Sequence, residues 1–411
     1  MAKNEKMYNK GRFVFVGDPI FGRDNVVTTA KLNATSEWNK TRLNFGVKVG
    51  NNSQFLTTEY LHSDKVNKIK LFDKEGKEFE VPLNETNNPE LLNRVYTKIT
   101  VNLETDQEVK KQYNSLVFKK RNHEIKQEQT EDDIQKIKEY TEQLEEFSSN
   151  VANFIHMKDF INFINASQEV IKGHKIKVTG EVKSNFYNNT NHLQFIPKNV
   201  EFVLGDDVKE ELTVYMDIFF DKDAIDDDKK EKKMFVNGYV GETVRKADKL
   251  FPTQVIFDYS KADLENEKQK ALVDFVKGFF EVKNKKVLHR LPVICQVING
   301  AEVVEFDESQ LTDKQKTAIA LGLATLDQYK PKGSIFGERV SFIKVIQPDL
   351  KLSPEGVIES IDLDELVNYL PSDDSDKKVE DMKKEDKKET KEEEKKDNEI
   401  DQNDMMRALF G

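Results

Sequence analysis

The chain has 411 residues, 37% of them hydrophobic and 34% charged, a size that allows two or three domains with more than one core. Its apolar runs are strand-length blocks such as Val14-Phe15-Val16, too short to span a membrane, and a single cysteine, Cys295, excludes a disulfide framework and points to a reducing cytoplasm. The net charge of −11 argues against a globally basic nucleic-acid binder, so any such surface must be local.

Residues 11–104 read as a β-rich domain, and residues 1–100 carry 16 Lys/Arg against 12 Asp/Glu. Gly11 to Gly17 is a strand bounded by glycines. Thr41 to Val49 alternates as one strand, with Leu43, Phe45, Val47 and Val49 on one face and Arg42 and Lys48 on the other. Asp73-Lys74-Glu75-Gly76 is a hairpin signal between two short strands. Trp38, Lys40, Arg42 and Lys48 interleave an aromatic ring with cations, the composition that lets a surface track phosphates and stack bases. Ordinary core aromatics and solvent-facing lysines would give the same letters.

Residues 105–171 turn helical. Thr130 with an acidic first turn caps a helix to about Phe147, and a second helix is expected from Ser149-Asn150. The first reads as a dimer coil or as a connector packed on the body, and its span of only about two and a half heptads favours the connector.

Residues 172–260 return to strands. Lys175 to Val182 carries an interior glycine, Gly180, where a bulge or sharp bend is expected, and Leu193 to Val203 is its partner beyond an aromatic turn. Lys183, Phe186, Tyr187, His192 and Lys198 form a second aromatic–basic set. A strand bent at Gly180, a hairpin through Tyr187 and further strands to Tyr259 resemble the OB fold of single-strand binders. The fold class expected is therefore α+β: β-rich OB-like barrel domains with intervening helices and a disordered acidic C-terminal tail.

Residues 261–350 read as a mixed α/β extension, with a helix over Asp263–Phe280, strands at Val287–Val297 and Ala301–Phe306, a Thr312-capped helix to Tyr329 and a strand at Arg339–Ile346. Residues 351–411 form the tail. From Pro371 onward 15 acidic and 10 basic side chains leave too little apolar matter for a core. The chain then closes on Asp404, Met405, Met406, Arg407, Ala408, Leu409, Phe410 and Gly411. A charged tether ending in an acidic step and an apolar plug resembles the tail of bacterial single-stranded-DNA-binding proteins. That family ends in Pro-Phe where this chain ends in Phe410-Gly411. The resemblance implies that Asp404, Met405, Met406, Leu409 and Phe410 dock replication or recombination partners.

Catalytic and metal signatures are not found. Gly17-Asp18-Pro19-Ile20-Phe21-Gly22-Arg23 has phosphate-loop glycine spacing but lacks the Lys and Ser/Thr that would contact phosphate and Mg²⁺. Six scattered histidines and one cysteine give no zinc spacing, and Asp226-Asp227-Asp228 reads as a solvated loop. The expectation is a non-enzymatic, cofactor-free cytoplasmic binder of single-stranded DNA, without membrane attachment. Lys, Asn, Ile and Phe usage suggests an AT-rich genome such as that of a phage, and a phage structural or assembly protein with a docking tail is the alternative.

Overall fold

The structure is a computed structural model. It describes residues 7–371, leaving out 66, 127, 148–149, 188–189, 206–207, 245, 283, 305–310, 330–334 and 355. The tail residues Asp404, Met405, Met406, Leu409 and Phe410 lie outside the described residues.

In chain order the elements are β1 (Arg12–Phe21), β2 (Val27–Lys31), β3 (Asn39–Leu43), β4 (Phe45–Val49), β5 (Asn52–Phe55), β6 (Glu59–His62), β7 (Lys68–Phe72), β8 (Glu78–Pro82), α1 (Pro89–Arg94) and β9 (Ile99–Asn102). Helices α2 (Gln107–Glu124) and α3 (Glu131–Glu145) follow, then β10 (Val151–Phe154), α4 (Met157–Ala166) and α5 (Gln168–Lys172). The remainder is β11 (Ile176–Tyr187), β12 (Thr190–Phe202), β13 (Glu211–Phe220), β14 (Ile225–Asp228), β15 (Lys233–Val244), β16 (Ala247–Asp258), α6 (Glu267–Gly278), β17 (Val287–Val304), α7 (Asp313–Ala320), α8 (Leu326–Tyr329), β18 (Ile335–Pro348) and β19 (Ile358–Asp362). The fold is α+β and strand-rich.

Fourteen strands form one hydrogen-bonded sheet whose pairing returns on itself. One circuit runs β13–β15–β16–β18–β17 and back to β13; another runs β1–β4–β5–β17–β13 and back to β1. Strands β13 and β17 belong to both and pair from Thr213↔Gln296 to Phe220↔His289. The circuits close through short contacts: Ile218↔Val240 and Phe219↔Tyr239 between β13 and β15, parallel Val255↔Ile343 and Ile256↔Lys344 between β16 and β18, and Gly300↔Asn52 between β17 and β5. A three-stranded sheet β2–β3–β6 and the hairpin β7–β8 stand apart from it.

This pairing departs from the expected division at 104, 171 and 260. Strand β1 lies between β11 and β13, with Phe13 opposite both Gly180 and Val214. Strands β17 and β18, expected in a separate extension, complete the same sheet. Alternation in a sequence shows which face of a strand is apolar; it carries no record of which distant strand meets each edge. Phe13, Phe15, Phe195, Val178 and Val214 share one core, and the Phe13–Phe15 and Phe15–Phe195 ring centroids are 4.5 and 5.1 Å apart.

Gly180 has a packing reason. The β11–β12 register shifts between Thr179 and Gly180, and a Cβ there would lie 2.0 Å from the Ile196 carbonyl oxygen and 2.7 Å from the Phe13 ring. The expected bend is thus a bulge where two neighbours close in on bare backbone.

Other expectations shift locally. The strand read as Thr41–Val49 divides at Asn44 into β3 and β4; Asn44 N–H donates to the Val26 carbonyl (2.7 Å) and its side-chain amide to that of Asn25 (2.8 Å). The helix expected from Ser149-Asn150 is the strand β10 followed by α4, capped by His156. Val151, Phe154 and Ile155 fit either period over so short a run. The Thr312 helix stops at Ala320, and α8 begins at Leu326.

Candidate functional site

A cleft of about 660 Å³ lies between the tip of the β11–β12 hairpin and the outer face of β15–β16, with β5, β17 and β18 along its side. Along β15 the side chains alternate: Val236 and Val240 face the core, while Asn237 and Tyr239 face the cleft. Gln254 on β16 stands opposite Asn237, and its Nε2 donates to Asn237 Oδ1 (2.7 Å). From the far wall come His192 and Asn191 on β12, Phe342 on β18 and Gln54 on β5.

The chemistry of this lining is specific. Five amides and four rings line it together with the hydroxyls of Thr190, Thr253 and Ser341 and the aliphatic Leu193, Val297 and Ile343, and the described residues that line it include no Lys, Arg, Asp or Glu. Such a surface offers stacking faces and paired donors and acceptors without fixed charge. It suits nucleobases or other planar polar groups better than phosphates, which need cations. Burial, then the nearby Asp221 carboxylate, pushes the Tyr239 phenol above its ordinary value, so it stays a neutral donor at physiological pH.

The second sequence-derived set divides around this cleft. Lys183, Tyr187 and His192 share one face of the β11–β12 hairpin by alternation and register, with Lys183 opposite Gln194 and Asn185 opposite His192. Tyr187 is 59% exposed, enough to present its ring to a partner. His192 also lines the cleft. Phe186 turns the other way, against Phe251 at 6.1 Å, so its ring is engaged in packing. Lys198 lies at the bulge, with its Nζ 3.5 Å from Glu181.

The first set does not form one surface. Trp38, Lys40 and Arg42 belong to the three-stranded sheet or its entry, whereas Lys48 is on β4 of the large sheet; the break at Asn44 separates them. Trp38 is half-buried in a tight loop: its N–H donates to Ser36 Oγ (3.0 Å) and its carbonyl accepts from Leu32 (3.0 Å). Lys40 faces Glu59 at 3.6 Å, and Arg42 stands across from the same glutamate. None of these four lines the cleft.

Two further sequence candidates take structural roles. Gly17 to Phe21 is continuous strand at the end of β1, with Pro19 opposite Val47, and Gly22 follows it. Asp227, expected in a solvated loop, lies in β14, accepts from Tyr259 Oη (2.8 Å) and pairs with Lys277 (2.9 Å). Among the described residues no three His, Cys, Asp or Glu side chains gather as a metal site, and no helix is long and apolar enough to cross a membrane.

Sequence reasoning missed Asn237, Tyr239, Gln254, Phe342 and Gln54. They arrive from four strands spread over nearly 300 positions, and each sits in an unremarkable local pattern. No protein-family model matches the chain, and no curated protein matches it.

Proposed function

We propose that the chain is a sequence-tolerant single-stranded-DNA-binding protein of phage DNA replication or recombination, with an acidic tail that recruits partner proteins. The observation that carries this reading is the coincidence of the first strand circuit with the cleft. Taken in chain order, β13, β15, β16, β17 and β18 pair as first–second–third–fifth–fourth–first. The third and fifth strands are parallel, and α6 lies between the third and the fourth. This supports an OB-like Greek-key barrel over residues 211–348, displaced from the 172–260 interval that the sequence suggested. OB barrels hold oligonucleotides on the face of the second and third strands. Here those strands are β15 and β16, whose Asn237, Tyr239 and Gln254 line the cleft.

In this reading bases enter the cleft and stack on Tyr239, His192 and Phe342, the amides meet base edges, and Lys183, farther along β11 on the face that carries Tyr187, meets phosphate. The test is fluorescence anisotropy of a labelled poly-dT oligonucleotide with the full chain at low and moderate salt. Binding that weakens with salt and weakens further in Tyr239→Ala supports the reading. Flat anisotropy at low salt removes it. The uncharged cleft and the overall charge of −11 favour the second reading, a structural or assembly protein; a fixed-size particle or partner complex formed without DNA would move the assignment there.

A further inference from the structure

Helices α2 and α3 form a two-helix arm that is short of burial. No side chain of α2 is buried, and in α3 only Asp133 is. Lys110 ties the base of α2 to the body, 3.0 Å from Glu201 and bonded to the Phe202 carbonyl. The far end is closed by polar chemistry: the Thr130 capping box, with Asp133 accepting from His123 (2.6 Å) and Lys126 (2.5 Å). Helices of this length are marginal in water unless an apolar face is packed away.

The apolar side chains left over fall in the distal half of the arm. Phe118 and Val117 on α2 are 65% and 39% exposed, Ile125 at its C-terminal cap 68% and Ile134 in the first turn of α3 57%. The two helices also differ in sign. Helix α2 carries five Lys/Arg and two Glu, and α3 carries two Lys and six Asp/Glu, or +3 against −4.

We infer that the arm is a self-association surface and that its partner is a second copy of this chain. A two-fold axis places α2 of one copy on α3 of the other, twice over, which satisfies both charge matches at once and covers Phe118, Val117, Ile125 and Ile134 in a four-helix interface. An all-acidic or all-basic partner would match one helix and repel the other; the copy matches both. The inference does not depend on DNA binding.

The test uses two charge-reversed full-length chains, Lys119→Glu with Arg121→Glu on α2, and Glu142→Lys with Glu145→Lys on α3. All four positions are exposed, and among the described residues none is ion-paired. Sedimentation velocity without DNA, over about 1 to 100 µM at low salt, should show wild type as a dimer and each reversed chain as a monomer. An equimolar mixture of the two should restore the dimer, because the acidic arm of one then faces the basic arm of the other. Restoration also shows that both variants are folded. A monomeric wild type overturns the inference, as do a dimer indifferent to either reversal and a mixture that stays monomeric.

Discussion

His156 should make stability depend on pH in a window where few other groups titrate. It is the N-cap of α4: its Nδ1 accepts from the Lys158 N–H (3.2 Å), and its ring meets Tyr60 edge-on at 5.6 Å. Burial foremost, then the charge of Lys98, lowers its pKa from 6.5 to about 4. Protonation would also convert the capping acceptor into a donor. Above the unfolded value of 6.5 the fold has the full benefit of a neutral His156. As pH falls toward the folded value near 4, the unfolded chain gains a proton that the folded chain refuses, and the benefit is lost. At about pH 5 the loss is about 2 kcal/mol. With an unfolding entropy of about 2.1 cal/mol/K per residue over the described chain, this is about 2–3 °C in Tm. His156→Asn keeps a capping oxygen and removes the titration. Thermal melts of both chains at about pH 7.5 and about pH 5 cancel the carboxylates they share. Wild type should lose about 2–3 °C more than the variant between the two conditions; equal losses would refute the argument.

Gly180→Ala should lower Tm by a few degrees, because its Cβ would lie 2.0 Å from the Ile196 carbonyl and overpacking of this kind costs about 1–3 kcal/mol. A melt that matches wild type would mean the β11–β12 bulge relaxes freely. Tyr239→Ala should weaken binding of a poly-dT oligonucleotide by about 1–3 kcal/mol, roughly 5- to 150-fold, in a variant that circular dichroism shows to be folded at the assay temperature; equal affinities would remove Tyr239 from the interface. The Cys295 thiol is fully buried, and that burial pushes its pKa far above the ordinary range. It should therefore resist a thiol reagent in the native protein and react fully in denaturant; rapid native labelling would contradict the packing of β17.

Local grammar was legible in the sequence. The Thr130 and Thr312 caps, the Asp73–Gly76 turn and the Gly180 bend are each written in a few adjacent letters, and the structure has all four. The alternation of Leu43, Phe45 and Val47 gave the buried face correctly, while Asn44 between them broke the strand. Pairing across distance was not legible. Nothing near Phe13 announces Val214, and nothing near Tyr239 announces Phe342. The first aromatic–basic set failed as a unit for a related reason: proximity in sequence survives a strand break, but a shared face does not.

The central position of β1 also sets a clock. Its partners β11 and β13 begin at Ile176 and Glu211, and β17, which closes both circuits, begins at Val287. The Asp18–Phe21 end of β1 can meet β4 early, but at about 5–20 residues per second roughly 160 to 200 residues must be made before its Arg12–Val16 part meets β11 or β13, an interval of about 10–40 s. Throughout it Phe13 and Phe15 sit on a strand with two open edges. Slower synthesis lengthens that exposure. High-level expression should favour inclusion bodies unless a chaperone holds the first strand until the fourteen-stranded sheet can take it in.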